Sequence, residues 1–102
     1  MIQIIKVVES DKKDKRFCAI MNNGKMFDFG SKNGKTYIDG RTDLEKINYI
    51  KRHQENPLEK KLIKNLVLSP SVLSLYLLWN TKDMDENIKI LNELFRKNYD
   101  KL

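Results

Sequence analysis

Residues 16–29 read Arg16-Phe17-Cys18-Ala19-Ile20-Met21-Asn22-Asn23-Gly24-Lys25-Met26-Phe27-Asp28-Phe29, two β-forming runs joined by Asn-Asn-Gly. Asn and Gly tolerate positive φ, which a tight type I′ hairpin turn requires. Residues 16–21 are therefore expected as one strand and 25–29 as its antiparallel return, with Met26 alternating with polar Lys25 and Asp28. Upstream, residues 2–8 are rich in β-branched side chains and read as a further strand. A charged loop over 9–15 joins it to the hairpin. These elements predict a small three-stranded antiparallel sheet.

Downstream the pattern changes to helical. Residues 30–40 form a loop rich in Gly, Lys and Asn, with Thr36-Tyr37-Ile38 as a candidate short strand. Thr42 is a good N-cap, and Glu45 completes a Thr-x-x-Glu capping box. The helix it starts should reach about His53, with Leu44, Ile47 and Ile50 as its apolar stripe. Asn56-Pro57 interrupts it, because the residue before proline disfavours the helical region. Residues 58–68 place Leu62, Ile63, Leu66 and Val67 at helical spacing. Ser69-Pro70 starts another helix, Ser as N-cap and Pro at the first helical position. Residues 71–79 are apolar on most sides and predict the most buried helix. Asp83 with Glu86 opens the last one, whose buried stripe is Ile88, Leu91, Leu94 and Phe95. The expected fold is a single α+β domain over 1–102: a β-rich 1–40, a helical 41–97 and a frayed tail at 98–102. Three or four helices follow the sheet and pack on one of its faces.

At 102 residues there is room for one core only. An apolar share of 40% supports a folded chain, and a charged share of 33% with mixed signs argues against wholesale disorder. The net charge of +6 is uneven: residues 1–53 carry twelve Lys/Arg against seven Asp/Glu, and residues 54–102 eight against seven. That asymmetry favours an anionic partner such as nucleic acid. A single cysteine excludes an intramolecular disulfide, and a reducing intracellular setting fits. The opening Met-Ile-Gln-Ile-Ile-Lys is too short an apolar run for a signal peptide. The longest apolar run, 72–79, is far below membrane-spanning length, so no membrane partner is expected. Richness in Lys, Asn and Ile suits an AT-rich genome.

Several constellations bear on chemistry, each with two readings. On the first helix Tyr49, Arg52 and His53 lie away from the Leu44–Ile47–Ile50 stripe. An aromatic ring, a guanidinium and an imidazole together suit a phosphate or a base. Alternatively Tyr49 and His53 are clamped under the C-terminal helices, with His53 hydrogen-bonded to a neighbouring backbone and Arg52 paired to an acid. Lys46 and Lys51 add charge to the same helix. Lys32, Lys35 and Arg41 sit among Gly30, Gly34 and Gly40, either as an anion-binding loop or as a solvated connector. Lys12, Lys13, Lys15 and Arg16 form the tightest basic cluster, diluted by Asp11 and Asp14. Asp28-Phe29-Gly30 spells the magnesium-binding triplet of protein kinases, but no glycine-rich nucleotide loop or catalytic-loop motif accompanies it. One His and one Cys make no zinc site alone. Cys18 lies mid-strand and reads as a small buried apolar group. No metal, no cofactor and no enzymatic activity are expected. A small hydrolase or isomerase would have to work through Cys18 and His53.

The succession Phe29-Gly30, then Tyr49-x-x-Arg52-His53, then Leu73-Ser74 with Leu77-Leu78-Trp79 resembles a family of short basic proteins of nucleocytoplasmic large DNA viruses of the giant-virus type. Tyr37-Ile38-Asp39 and Asp43 match further positions of its pattern, as do Asp83, Ile88 and Phe95. The chain departs from it in carrying Asp28 where His is common, in lacking a tryptophan after Arg52-His53, and in lacking a glycine before Leu73-Ser74. The resemblance implies a small structural or packaging protein of a virion or virus factory in the host cytoplasm. An isomerase-like role attached to some members finds no proline-binding site here. The expected function is non-specific nucleic-acid binding, DNA foremost, through Lys32, Lys35, Arg41, Lys46, Tyr49, Lys51, Arg52 and His53. The alternative is a protein–protein scaffold or capsid/core assembly module. Other virion proteins are expected partners, and a homo-oligomer is compatible with both.

Overall fold

The computed structural model describes residues 1–100. It is an α+β fold in which a three-stranded antiparallel sheet precedes four helices. Strands β1 (Ile4–Glu9), β2 (Lys15–Met21) and β3 (Met26–Ser31) lie in sequence order. The helices are α1 (Asp43–Glu55), α2 (Pro57–Lys64), α3 (Pro70–Leu78) and α4 (Met84–Asp100). α4 is helical to Asp100, so the helix takes in the first part of the expected frayed tail, and the remainder lies outside the described residues.

The hairpin forms where Asn22-Asn23-Gly24 predicts it, but with a different turn. Among the described residues only Leu66 has a positive φ without being glycine, so neither Asn adopts the conformation of a type I′ turn. The left-handed residue is Gly24, at φ 85°. Its N–H donates to the Met21 carbonyl, and the Met21 N–H donates to Lys25 O at 2.9 Å. This is a three-residue loop closed by a glycine, the next most common hairpin connection.

Pairing register divides the sheet into two faces. Val7–Ala19–Phe27 and Phe17–Phe29 are cross-strand neighbours on one side, with Ile4 opposite Met21. These side chains join Val72, Leu73, Leu77, Leu78, Trp79, Leu91 and Phe95 in one core. The other face carries Lys6–Ile20–Met26 and Val8–Cys18–Asp28. Cys18 is buried, as its mid-strand place predicts, but on this outer face and outside the main core cluster. Burial pushes its thiol up, away from the reactive thiolate.

Two polar side chains hold the layers together. Asn92 on α4 accepts from the Ile4 N–H at 2.7 Å and donates to the Ile4 carbonyl at 3.0 Å. It thus acts as a strand partner for the edge of β1, next to the register shift at Ile4/Lys6. Asn87 is fully buried, and all its polar groups are used. Its Nδ2 donates to the carbonyls of Leu77 and Thr81, and its Oδ1 accepts from the Thr81 N–H and hydroxyl.

Other expectations are revised by the geometry. Thr36-Tyr37-Ile38 is no strand. Residues Tyr37–Asp39 form a single 3-10 turn, fixed by Asp39 accepting from the Thr36 N–H and hydroxyl. The helical spacing over 58–68 ends early, at Lys64, because Leu66 turns left-handed at φ 51°. The N–H groups of Leu66 and Val67 bond back to Ile63 and Leu62, a Schellman arrangement with leucine in the usual glycine position. The Thr42–Glu45 capping box, the Ser69 cap with Pro70, and the Asp83 bond to the Glu86 N–H all stand as the sequence predicts.

Candidate functional site

α1 carries five of the eight residues expected to meet nucleic acid, so its orientation decides what they can do. Two members of its apolar stripe face away from the core, and the third, Ile50, is half-buried. Leu44 is 67% exposed and Ile47 59%. Facing inward instead are Tyr49 and His53, one turn apart, with their rings 4.2 Å between centroids. Tyr49 lies parallel to Trp79 at 4.3 Å, an aromatic stack that ties α1 to the end of α3. Trp79 is 8% exposed, which makes it a core anchor. Burial pushes the Tyr49 phenol up to about 12, the Glu59 carboxylate adding to the effect.

His53 Nδ1 lies 3.1 Å from Glu59 Oε2, within ion-pair range when the ring is protonated. The approach lacks hydrogen-bond alignment, so this buried nitrogen has no hydrogen-bond partner. Tyr49 is clamped between Trp79 and His53, but the rest of the packed reading is not met: His53 Nδ1 has no hydrogen-bond partner, and Arg52 is exposed with no ion pair among the described residues. The Tyr49 ring offers no free platform for a base.

The cations are dispersed, and several are engaged. Arg16 forks onto both oxygens of Asp39, which holds that carboxyl well below the usual carboxylate range. Lys12 pairs with Asp28 at 3.1 Å. Asp28 also accepts from the Ser10 hydroxyl, which ties the start of the 10–14 loop to β3. Arg41 pairs with Glu45 at 2.9 Å. Lys46 donates to the Asn80 carbonyl and sits 4.9 Å from the Tyr37 ring centroid. Lys82 approaches the same ring at 5.0 Å. This meeting of two ammonium groups was not legible in the sequence, because Lys82 precedes α4 and nothing in its spacing points to Tyr37.

Lys32, Lys35, Lys51 and Arg52 are exposed and make no ion pair among the described residues. Arg41 precedes α1 and Arg52 is in its last turn, roughly 16 Å apart along the axis at 1.5 Å per residue. Along α1 the cations stand at both ends, Arg41 before its start and Lys51 with Arg52 near its close.

Among the described residues no group of three His, Cys, Asp or Glu could hold a metal ion. No helix there is long and apolar enough to cross a membrane. A model for a family of unknown function (DUF5754) matches residues 5–53, the stretch that contains the sheet, the 3-10 turn and α1 as far as His53. No curated protein and no solved structure matches the chain.

Proposed function

We propose that this protein is a small non-enzymatic assembly module that docks onto other proteins, in the virion or virus-factory setting that the resemblance of its motifs implies. The observation that carries the reading is the orientation of α1. The aromatic and imidazole groups suited to nucleic acid are packed inside, while Leu44 and Ile47 are presented to water. Large apolar side chains aligned on one helix face mark a docking surface. Leu58 on α2, 67% exposed, adds to the apolar surface of the helical part.

A second reading keeps the polyanion. Lys32, Lys35, Lys51 and Arg52 are exposed without acid partners and would contact phosphates irrespective of sequence. Titration of labelled duplex DNA across a range of salt separates the two. The assembly reading expects little retention at physiological salt. Tight retention that falls steeply with salt and is abolished by Lys32→Ala, Lys35→Ala and Arg52→Ala together would replace it with the second.

A further inference from the structure

We infer that the outer edge of β1 is a strand-addition site that takes an extended segment of another polypeptide. Strand order leaves β1 at the rim of the sheet, paired on one side only. The Ser10 N–H donates to the Arg16 carbonyl, so the antiparallel alternation turns the backbone groups of Ser10, Val8 and Lys6 toward β2. Those of Val7 and Glu9 turn outward. Among the described residues no hydrogen bond reaches these outward groups. At its first position the same rim already holds an amide. Ile4 faces outward too, and the Asn92 side chain meets both its N–H and its carbonyl, as the peptide group of a neighbouring strand would. Beside this contact, between β1 and α4, lies a hollow of about 470 Å³ with Ile5, Ile88 and Lys89 among its walls.

The length of the free rim selects the occupant. Between the Asn92 contact at Ile4 and the end of β1, only Ile5 to Glu9 are open. Two folded copies joined through so short a rim bury far less than the roughly 1,000 Å² that a specific interface needs. A flexible segment is not limited to that contact. It bonds along Val7 and Glu9 and continues over the hollow at the Ile5 end. Alternating outward donors and acceptors are complementary to extended polypeptide, which is recognised through its backbone more than through its side chains. About four backbone bonds form, so a dissociation constant on the order of 0.1–1 mM is expected. This contact is separate from the α1 docking face.

Hydrogen exchange of the full chain, followed by NMR, tests this. In the free chain the Val7 and Glu9 amides should exchange fast, while the Val8 amide, turned toward β2, is protected. A capped Lys-Val-Thr-Val-Thr-Lys peptide at millimolar concentration should slow the two outward amides. The same peptide methylated on every backbone nitrogen should not. Glu9→Pro removes an outward donor at a rim position where proline is tolerated, so the unfolding midpoint should hold. It should weaken peptide binding by roughly fivefold or more, whereas Glu9→Ala binds as the wild type does. Val7 and Glu9 amides protected in the free chain overturn the inference, as does a peptide that leaves them unchanged or binds equally well when methylated. Binding lost in Leu44→Ser/Ile47→Ser but kept in Glu9→Pro places the peptide on α1 and also overturns it. A dimer of the chain alone that Glu9→Pro dissolves overturns the choice of occupant in favour of a second copy.

Discussion

Single residues carry disproportionate structural weight where the backbone is unusual or a polar group is enclosed. Gly30 is the first case. It sits in β3 at φ 78°, and a Cβ there would come within 3.0 Å of Leu78 Cδ1. Gly24 is equally left-handed, at φ 85°, but a Cβ there would meet nothing within 4 Å. Alanine at either position costs about 1–2 kcal/mol for the left-handed backbone. Gly30→Ala adds the collision with α3, so its urea midpoint should fall clearly further than that of Gly24→Ala. Equal midpoints would mean that α3 does not approach β3 so closely. Asn87 is the second case. Asn87→Ala leaves the Leu77 and Thr81 carbonyls and the Thr81 N–H without their partner, at a cost of about 2–3 kcal/mol in chemical unfolding. Asp39 gives a pH signature. Its pKa is depressed chiefly by the hydrogen bonds from Arg16. The stability it contributes is therefore fully present above the unfolded value near pH 4 and lost as pH falls through the lower folded value. Because the pair is open to solvent and screened, thermal melts of Asp39→Asn should show only about 0.5–1 kcal/mol less stability at neutral pH and a shallower loss as the solution is acidified below about pH 5.

At the level of elements, legibility followed the range of the forces involved. Caps and turn positions depend on residues three or four apart, and the Thr42–Glu45, Ser69–Pro70 and Asp83–Glu86 signals all mark real helix starts. The Asn22-Asn23-Gly24 signal located the hairpin, although the left-handed conformation was taken up by Gly24 alone. The facing of α1 was not legible. Its periodicity put Leu44, Ile47 and Ile50 on the buried side, yet the surface that α1 meets is set by residues about thirty positions later. Trp79 presents a flat ring to Tyr49, and the Asn80 carbonyl receives Lys46. Both draw the same side of α1 inward. The early end of α2 was hidden for a similar reason. Leucine is a poor left-handed residue. Leu66 is held there while its side chain packs against the core. For the candidate site, the sequence identified Tyr49, Arg52 and His53 as a group and left their exposure open. Only the Trp79 contact decides that two of the three are internal.

For the whole molecule, the sum of charge overstates how much of it is free to act on a partner. A net +6 concentrated in the first half suggests one basic face. In the fold Arg16, Arg41 and Lys12 are each opposed by an acid, and the exposed cations are spread along and beyond α1. Surface pairs such as Arg41–Glu45 contribute little stability, but they remove charge from any shared field. Among the large apolar side chains left exposed are Leu44 and Ile47 on one side of α1. Which way α1 faces therefore decides whether this surface is free to dock, and paired stability measurements read it directly. In urea unfolding at neutral pH, Leu44→Ser/Ile47→Ser should change stability by no more than about 0.5 kcal/mol, as for exposed positions, whereas Tyr49→Ala should cost about 2–4 kcal/mol. The reverse result, with the serine pair strongly destabilising and Tyr49→Ala neutral, would put the apolar stripe in the core and contradict the account.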